Sequence, residues 1–173
     1  PPPHFGLRTY GGVIGLALPG WTGSLGGEAF FEGHAWRAAL GARFRFATTA
    51  QLEGEGGGEF SYVAGRVTGC GILRAQLLDY PLCGAVEAGQ IRAVGTGVDE
   101  PLTSRRPWIS VRAVPGLSHR TLDWLALGLE LDLGYVISQE RYFLRDIGVL
   151  HNVGAFEFGA NLSVQFRFFG RRK

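Results

Sequence analysis

Two cysteines, four histidines and fifteen carboxylates are the residues whose types could support chemistry in this chain. Cys70 and Cys83 stand 13 positions apart on either side of the 74–81 connection. In an oxidising compartment such a pair reads as a disulfide, with free thiols as the alternative. Without a neighbouring pair of histidines they do not complete a tetrahedral metal site. His4, His34, His119 and His151 are scattered among segment ends. Ser118-His119 has no carboxylate placed to orient the imidazole, so a nucleophile–base pair is not expected there. Glu130 and Asp132 share a face and could be read as an acid/base pair, but arginines of the same parity would neutralise them. A salt bridge is their expected use. The glycine run 56–58 lacks the Lys-Ser/Thr and the strand-to-helix setting of a phosphate cradle. His-Glu-x-x-His, Gly-x-Ser-x-Gly and Cys-x-x-Cys are all missing from the sequence. The chain therefore reads as a non-enzyme, with no metal and no cofactor expected.

Whatever these residues do, β-strands must position them. From Phe156 to Phe168 the even positions are all apolar, and the odd positions between them are polar or glycine. Leu125, Leu127, Leu129, Leu131, Leu133, Tyr135 and Ile137 likewise share a face opposite Ala126, Gly128, Glu130, Asp132 and Gly134. A period of two over such lengths is the signature of long strands. The same rule yields eight segments: 5–18, 24–33, 36–52, 59–73, 82–95, 106–117, 121–138 and 152–169. Short turns fall at 33–35 and 117–120, and longer polar links at 53–59, 96–105 and 139–151. Residues 74–81 read as a moderately long loop on the tight-turn side. Gln90 and Arg92 break the alternation of the fifth segment, which predicts a bulge or an extension beyond the rest of the sheet. An even strand count with long and short connections alternating is the plan of an all-β, eight-stranded antiparallel up-and-down transmembrane β-barrel.

Composition narrows the field further. Glycine supplies 28 of 173 residues, and charged residues make up only 18%. The net charge of +2 gives no polybasic field, so nucleic acid is not an expected partner. Abundant aromatics and few charges argue against disorder. No apolar run approaches the length of a transmembrane helix. Residues 1–4, opening Pro1-Pro2-Pro3, read as the end of an extended Pro-rich linker, and 170–173 as a basic tail, around a barrel spanning 5–169.

Strand parity divides the side chains into two sets. One face carries Leu and Phe; the other carries small residues together with Arg8, Glu28, Glu32, Arg43, Arg45, Arg66, Glu87, Arg112, Glu130, Asp132, Glu157 and Arg167. Placed inside a narrow barrel, these six arginines and six carboxylates would sum to zero and form a lumen charge network. Cys70 and Cys83 share that inward parity. Trp21, Trp36, Trp108, Trp124, Tyr62 and Tyr135 fall near segment ends and are expected to form aromatic girdles.

In these features the chain resembles the small eight-stranded outer-membrane barrels of Gram-negative bacteria, the OmpA/OmpX type. The C-terminal strand is similar to the signal read by barrel-assembly machinery, with Gly159 followed by Leu162, Val164, Phe166 and Phe168. Such proteins usually stop at the aromatic, whereas this chain continues to Lys173. Sixteen of its seventeen basic residues are arginine, a bias that, with the proline-rich start, resembles barrel domains of myxobacteria-like species. The resemblance implies outer-membrane lipid as surroundings, both termini in the periplasm, and assembly machinery as a partner. Some barrels of this size are lipid A acyltransferases or deacylases, but their His/Ser signature is not matched, since His151-Asn152 is followed by Val153. The expected role is an anchor or structural component whose loops (53–59, 96–105 and 139–151) or periplasmic side, through the N-terminal Pro segment, bind a protein partner in a larger envelope complex. Arg141, Tyr142, Phe143 and Arg145 in the 139–151 link would form a loop interface, because aromatics with Arg are enriched at interfaces. A soluble lipocalin-like binder with its Leu and Phe faces turned inward is one alternative, and a narrow channel is another.

Overall fold

The structure, a computed structural model, describes residues 3–15, 20–51, 57–96, 103–138, 141–144, 148–152 and 155–168. Among them ten strands form: β1 (His4–Gly15), β2 (Thr22–Glu32), β3 (Trp36–Gln51), β4 (Gly57–Ala75), β5 (Leu78–Thr96), β6 (Thr103–Leu122), β7 (Leu125–Val136), β8 (Arg141–Leu144), β9 (Gly148–Asn152) and β10 (Phe156–Phe168). Eight of them close into a barrel in the order β1-β10-β7-β6-β5-β4-β3-β2, every neighbour antiparallel. The chain is thus an eight-stranded up-and-down β-barrel. Closure removes the unpaired edges that an open sheet would leave. β1 meets β10 from Phe5 opposite Phe168 to Gly15 opposite Phe158, which brings the two ends of the barrel domain to the same rim.

That rim also carries the three tight turns, at 33–35, 76–77 and 123–124. The other rim receives the connections after β1, β3, β5 and β7. β8 and β9 form a separate two-stranded hairpin within the last of these, where the sequence suggested only a polar link.

Three expectations are corrected. The loop expected over 74–81 is a two-residue turn, Gln76-Leu77, with β4 and β5 paired without a break from Gly57–Thr96 to Ala75–Leu78. Gln76 takes the positive φ (47°) that such turns need, without the Gly or Asn that usually announces it. Pro81, inside the expected loop, lies in β5 opposite Ile72 and falls where the β5–β6 ladder is interrupted; Pro115 falls at a gap in the β6–β7 ladder, since neither ring nitrogen can donate. Next, the turn expected at 117–120 lies at 123–124, because alternation continues through exposed Leu117, buried Ser118 and exposed His119. Finally, of the bulge or extension expected at Gln90 and Arg92, no bulge interrupts β5, which extends in unbroken pairing with β4 to Thr96; the pairing shifts instead between Arg45 and Thr48 and between Arg120 and Leu122.

Candidate functional site

The interior of the barrel is ionic. All twelve ionisable residues singled out by parity are buried inside it, together with Arg37 and Asp79, making seven arginines and seven carboxylates among the described residues. Glycines on this face make room for them. A Cβ on Gly41 would stand 2.5 Å from Glu28 Cγ, and one on Gly134 would stand 3.0 Å from an Arg112 nitrogen.

The charges are layered along the barrel axis. At the tight-turn rim, Glu32 accepts from Arg37 Nε at 2.7 Å and from Arg74 at 2.6 Å, while Arg37 also donates to Gln165 at 2.9 Å. Asp79 accepts from Arg167 at 3.0 Å and lies 3.5 Å from Arg120. One layer deeper, Arg8 joins Glu28 to Glu130, the latter at 2.7 Å. Arg66 lies 3.0 Å from Glu28, and the Thr68 and Ser163 hydroxyls donate to Glu28 and Glu130 at 2.8 and 3.1 Å. Near the opposite rim, Arg112 is the hub: Nε donates to Glu87 at 2.7 Å, Nη1 to Asp132 at 2.6 Å, and Nη2 to Glu157. Arg43 bridges Glu87, at 3.2 Å, and Asp132, and Arg45 grips Glu157 with both terminal nitrogens.

Aromatic rings stack into this lattice. Arg8, Arg43 and Arg66 lie 5.3, 5.2 and 5.4 Å from the centre of the Tyr10 ring. Arg45 sits 4.4 Å over Tyr62 and 5.5 Å over Trp108. Above it, Phe60, Tyr62, Ala64, Ile91, Ala93, Trp108 and Val136 form an apolar layer. Tyr62 and Trp108 are therefore corrected from girdle to lumen. They share inward parity with Arg66 on β4 and Arg112 on β6, and each is 1% exposed.

Several ions with two or more opposite partners each are what a dry interior demands. An isolated charge in that medium would cost several kcal/mol, and mutual pairing with hydrogen bonds offsets it. Within the lattice each of these seven buried carboxylates has at least one arginine partner. Among the described residues no cluster of three or more His, Cys, Asp or Glu is arranged to hold a metal.

Cys70 and Cys83 lie directly opposite each other on β4 and β5 and form a disulfide inside the barrel, beside Ile72 and Val114. Of the C-terminal residues, Leu162, Phe166 and Phe168 point outward, Val164 is half-buried and Gly159 faces inward against the β1 backbone. Arg141, Tyr142 and Phe143 lie in β8, with backbones opposite Asn152, His151 and Val149. Arg145, the prolines at 1–2 and the tail at 170–173 lie outside the described residues.

Parity alone also places Arg37 inward with Arg43 and Arg45, so its signal was present in the sequence. Asp79 was hidden by the loop expected around it. Arg74, at the same rim, was hidden in the same way.

The outer surface is the reverse of the inner one. Leu7, Leu40, Val67, Val86, Leu129 and Leu162 are exposed around the waist. Trp36, Tyr80 and Trp124 stand toward the tight-turn rim, and Trp21 and Tyr135 toward the other. A broad exposed apolar belt between aromatic rings matches lipid rather than water. The lipocalin-like alternative is thereby corrected, since it needs these Leu and Phe faces turned inward.

Architecture and polarity together define the class: the chain has the fold of the small eight-stranded outer-membrane β-barrels. It is similar to Neisserial surface protein A (TM-score 0.64, 11% identity, covering 96% of this chain and 97% of that one). A major outer membrane protein of Thermus thermophilus is equally similar (TM-score 0.65, 13% identity, 95% and 99% covered). Ail, the attachment invasion locus protein of Yersinia pestis, follows at TM-score 0.57 and 10% identity, with 96% and 97% covered. No protein-family model and no curated protein matches the sequence.

Proposed function

We propose that this chain is a non-enzymatic anchor or structural component of a Gram-negative outer membrane, with both ends of the barrel on the periplasmic side. The observation that carries the reading is the inversion of polarity: ion pairs fill the lumen and apolar side chains face outward. A filled lumen favours neither a conduit nor a ligand chamber. The tight-turn rim, with both barrel ends, corresponds to the periplasmic side of this architecture, and the other rim to the cell surface. Binding of a protein partner is assigned to the surface rim and its β8–β9 hairpin, where Arg141, Tyr142, Phe143 and Arg145 supply interface-type residues. Two of the similar proteins carry the words "surface" and "attachment" in their names, which supports a contact role. The C-terminal strand ending at Phe168 is read as the recognition element for barrel-assembly machinery.

The test is gel mobility of the refolded, detergent-solubilised protein with and without boiling, followed by planar-bilayer recording. A closed barrel that shifts on boiling and passes no steady current is expected. Sustained porin-like conductance would overturn the filled-lumen reading, and a folded protein soluble without detergent would overturn the membrane reading. For the partner, a photo-crosslinker at Tyr142 in intact cells should give a discrete adduct that competes with added unlabelled barrel.

A further inference from the structure

On β3–β6 the outward residues form successive rows across the wall. Leu40, Val67, Val86 and Val111 make one row, and Ala42, Gly65, Ala88 and Ile109 the next. Toward the surface rim come Phe44, Val63, Gln90 and Pro107, then Ser61, Arg92 and Arg105. Polarity thus changes over two rows, from aliphatic to neutral polar to cationic. The departure at Gln90 and Arg92 is where the strands leave the apolar belt.

Arg92 and Arg105 are direct cross-strand partners, both exposed. Like charges facing each other across a ladder are destabilising unless an anion sits between them. Neither makes an ion pair among the described residues, and Glu59, the nearest outward carboxylate on β4, is not paired with them. Beside the two arginines lies a depression of about 270 Å³, lined by Phe44, Val63, Ser61, Gln90, Arg92 and Arg105. It is apolar on the side nearer the belt and cationic on the side nearer the rim. Its shape and polarity match an amphiphile with an anionic head.

From this we infer that the Arg92–Arg105 wall is a binding site for the phosphorylated headgroup of an outer-leaflet glycolipid, whose acyl chains lie along Phe44, Val63 and the belt below. Guanidinium forks suit phosphate, which can accept from both arginines at once. Ser61 and Gln90 add neutral donors at the level of the sugar. The site rests on the reading that this rim faces the outer leaflet.

Native mass spectrometry of the detergent-solubilised barrel, titrated with bisphosphorylated lipid A, tests it. Wild type should take up one lipid A molecule more tightly than the Arg92→Gln/Arg105→Gln variant, by about fivefold for each arginine and about 25-fold for the pair. Lipid A stripped of phosphate should bind wild type no better than the intact lipid binds the variant. Millimolar inorganic phosphate should not displace the lipid. Equal binding by the variant, equal binding of the dephosphorylated lipid, or full displacement by inorganic phosphate would each overturn the proposal, the last by making this a free-anion site. The gel shift on boiling separates the two levels: lost binding with the shift intact refutes only this site, whereas a lost shift in wild type refutes the membrane barrel itself.

Discussion

Removing the Arg112 side chain tests whether the lumen lattice holds the barrel together. Its guanidinium contacts Glu87 at 2.7 Å, Asp132 at 2.6 Å and also Glu157, so it ties β5, β7 and β10 to β6. Each charge-assisted hydrogen bond contributes about 1.5–3 kcal/mol. The three do not simply add. In an Arg112→Met variant, Glu87 and Asp132 keep Arg43 and Arg66, and Glu157 keeps Arg45. No carboxylate is orphaned, but the described interior passes from charge balance to one uncompensated negative charge. The loss should therefore sit at the lower end of the range for breaking a buried pair, about 3 kcal/mol. With a slope near 3 kcal/mol/M in guanidinium, the midpoint should fall by about 1 M. Equilibrium unfolding of the refolded barrel in micelles, followed by tryptophan fluorescence and gel shift, measures it. A second change, Glu157→Gln, restores the balance and should recover about 1 kcal/mol, a coupling that appears only if the two groups share the lattice. A single variant within about 0.5 kcal/mol of wild type, or a double variant as unstable as the sum of the singles, would refute the reasoning.

Two further outcomes follow from the same structure. Single-tryptophan variants in brominated phosphatidylcholine should show strong quenching of Trp36 and Trp124, which are 47% and 49% exposed on the outer wall, and little quenching of Trp108, which is 1% exposed inside it; comparable quenching of all three would contradict the girdle assignment. Reducing the Cys70–Cys83 disulfide should leave the heat-dependent gel shift in place and lower the unfolding free energy by at most about 3 kcal/mol, the chain-entropy value for a loop of this length. The tight β4–β5 turn already holds the two strands in register, so a smaller loss is expected than for a disulfide closing an open loop. Loss of the gel shift on reduction would show the bond to be required for the barrel rather than supporting it.

Period-two alternation was enough to read the class of this protein, because it is a local property and each strand carries its own record of which face meets which medium. Leu125 to Ile137 and Phe156 to Phe168 display it without interruption, and the parity of Arg43, Glu87 and Asp132 follows from their neighbours alone. Connections were less legible. The Gln76-Leu77 turn carries no turn-forming residue, and Pro81, a residue type that ordinarily ends a strand, is accommodated at an interruption of one ladder. Which charges meet was decided only by closure. Arg8 reaches Glu130 across 122 positions because β1 and β7 both border β10 in a ring, and no local pattern encodes that distance. The same holds for Tyr62 and Trp108: nearness to a strand end suggested the membrane interface, but facing strands brought both rings into one interior layer with Arg45 stacked against them. Sequence therefore determined the strands and their two faces, and the closed tertiary structure determined the partners, since pairing across the lumen depends on the stagger of all eight strands at once.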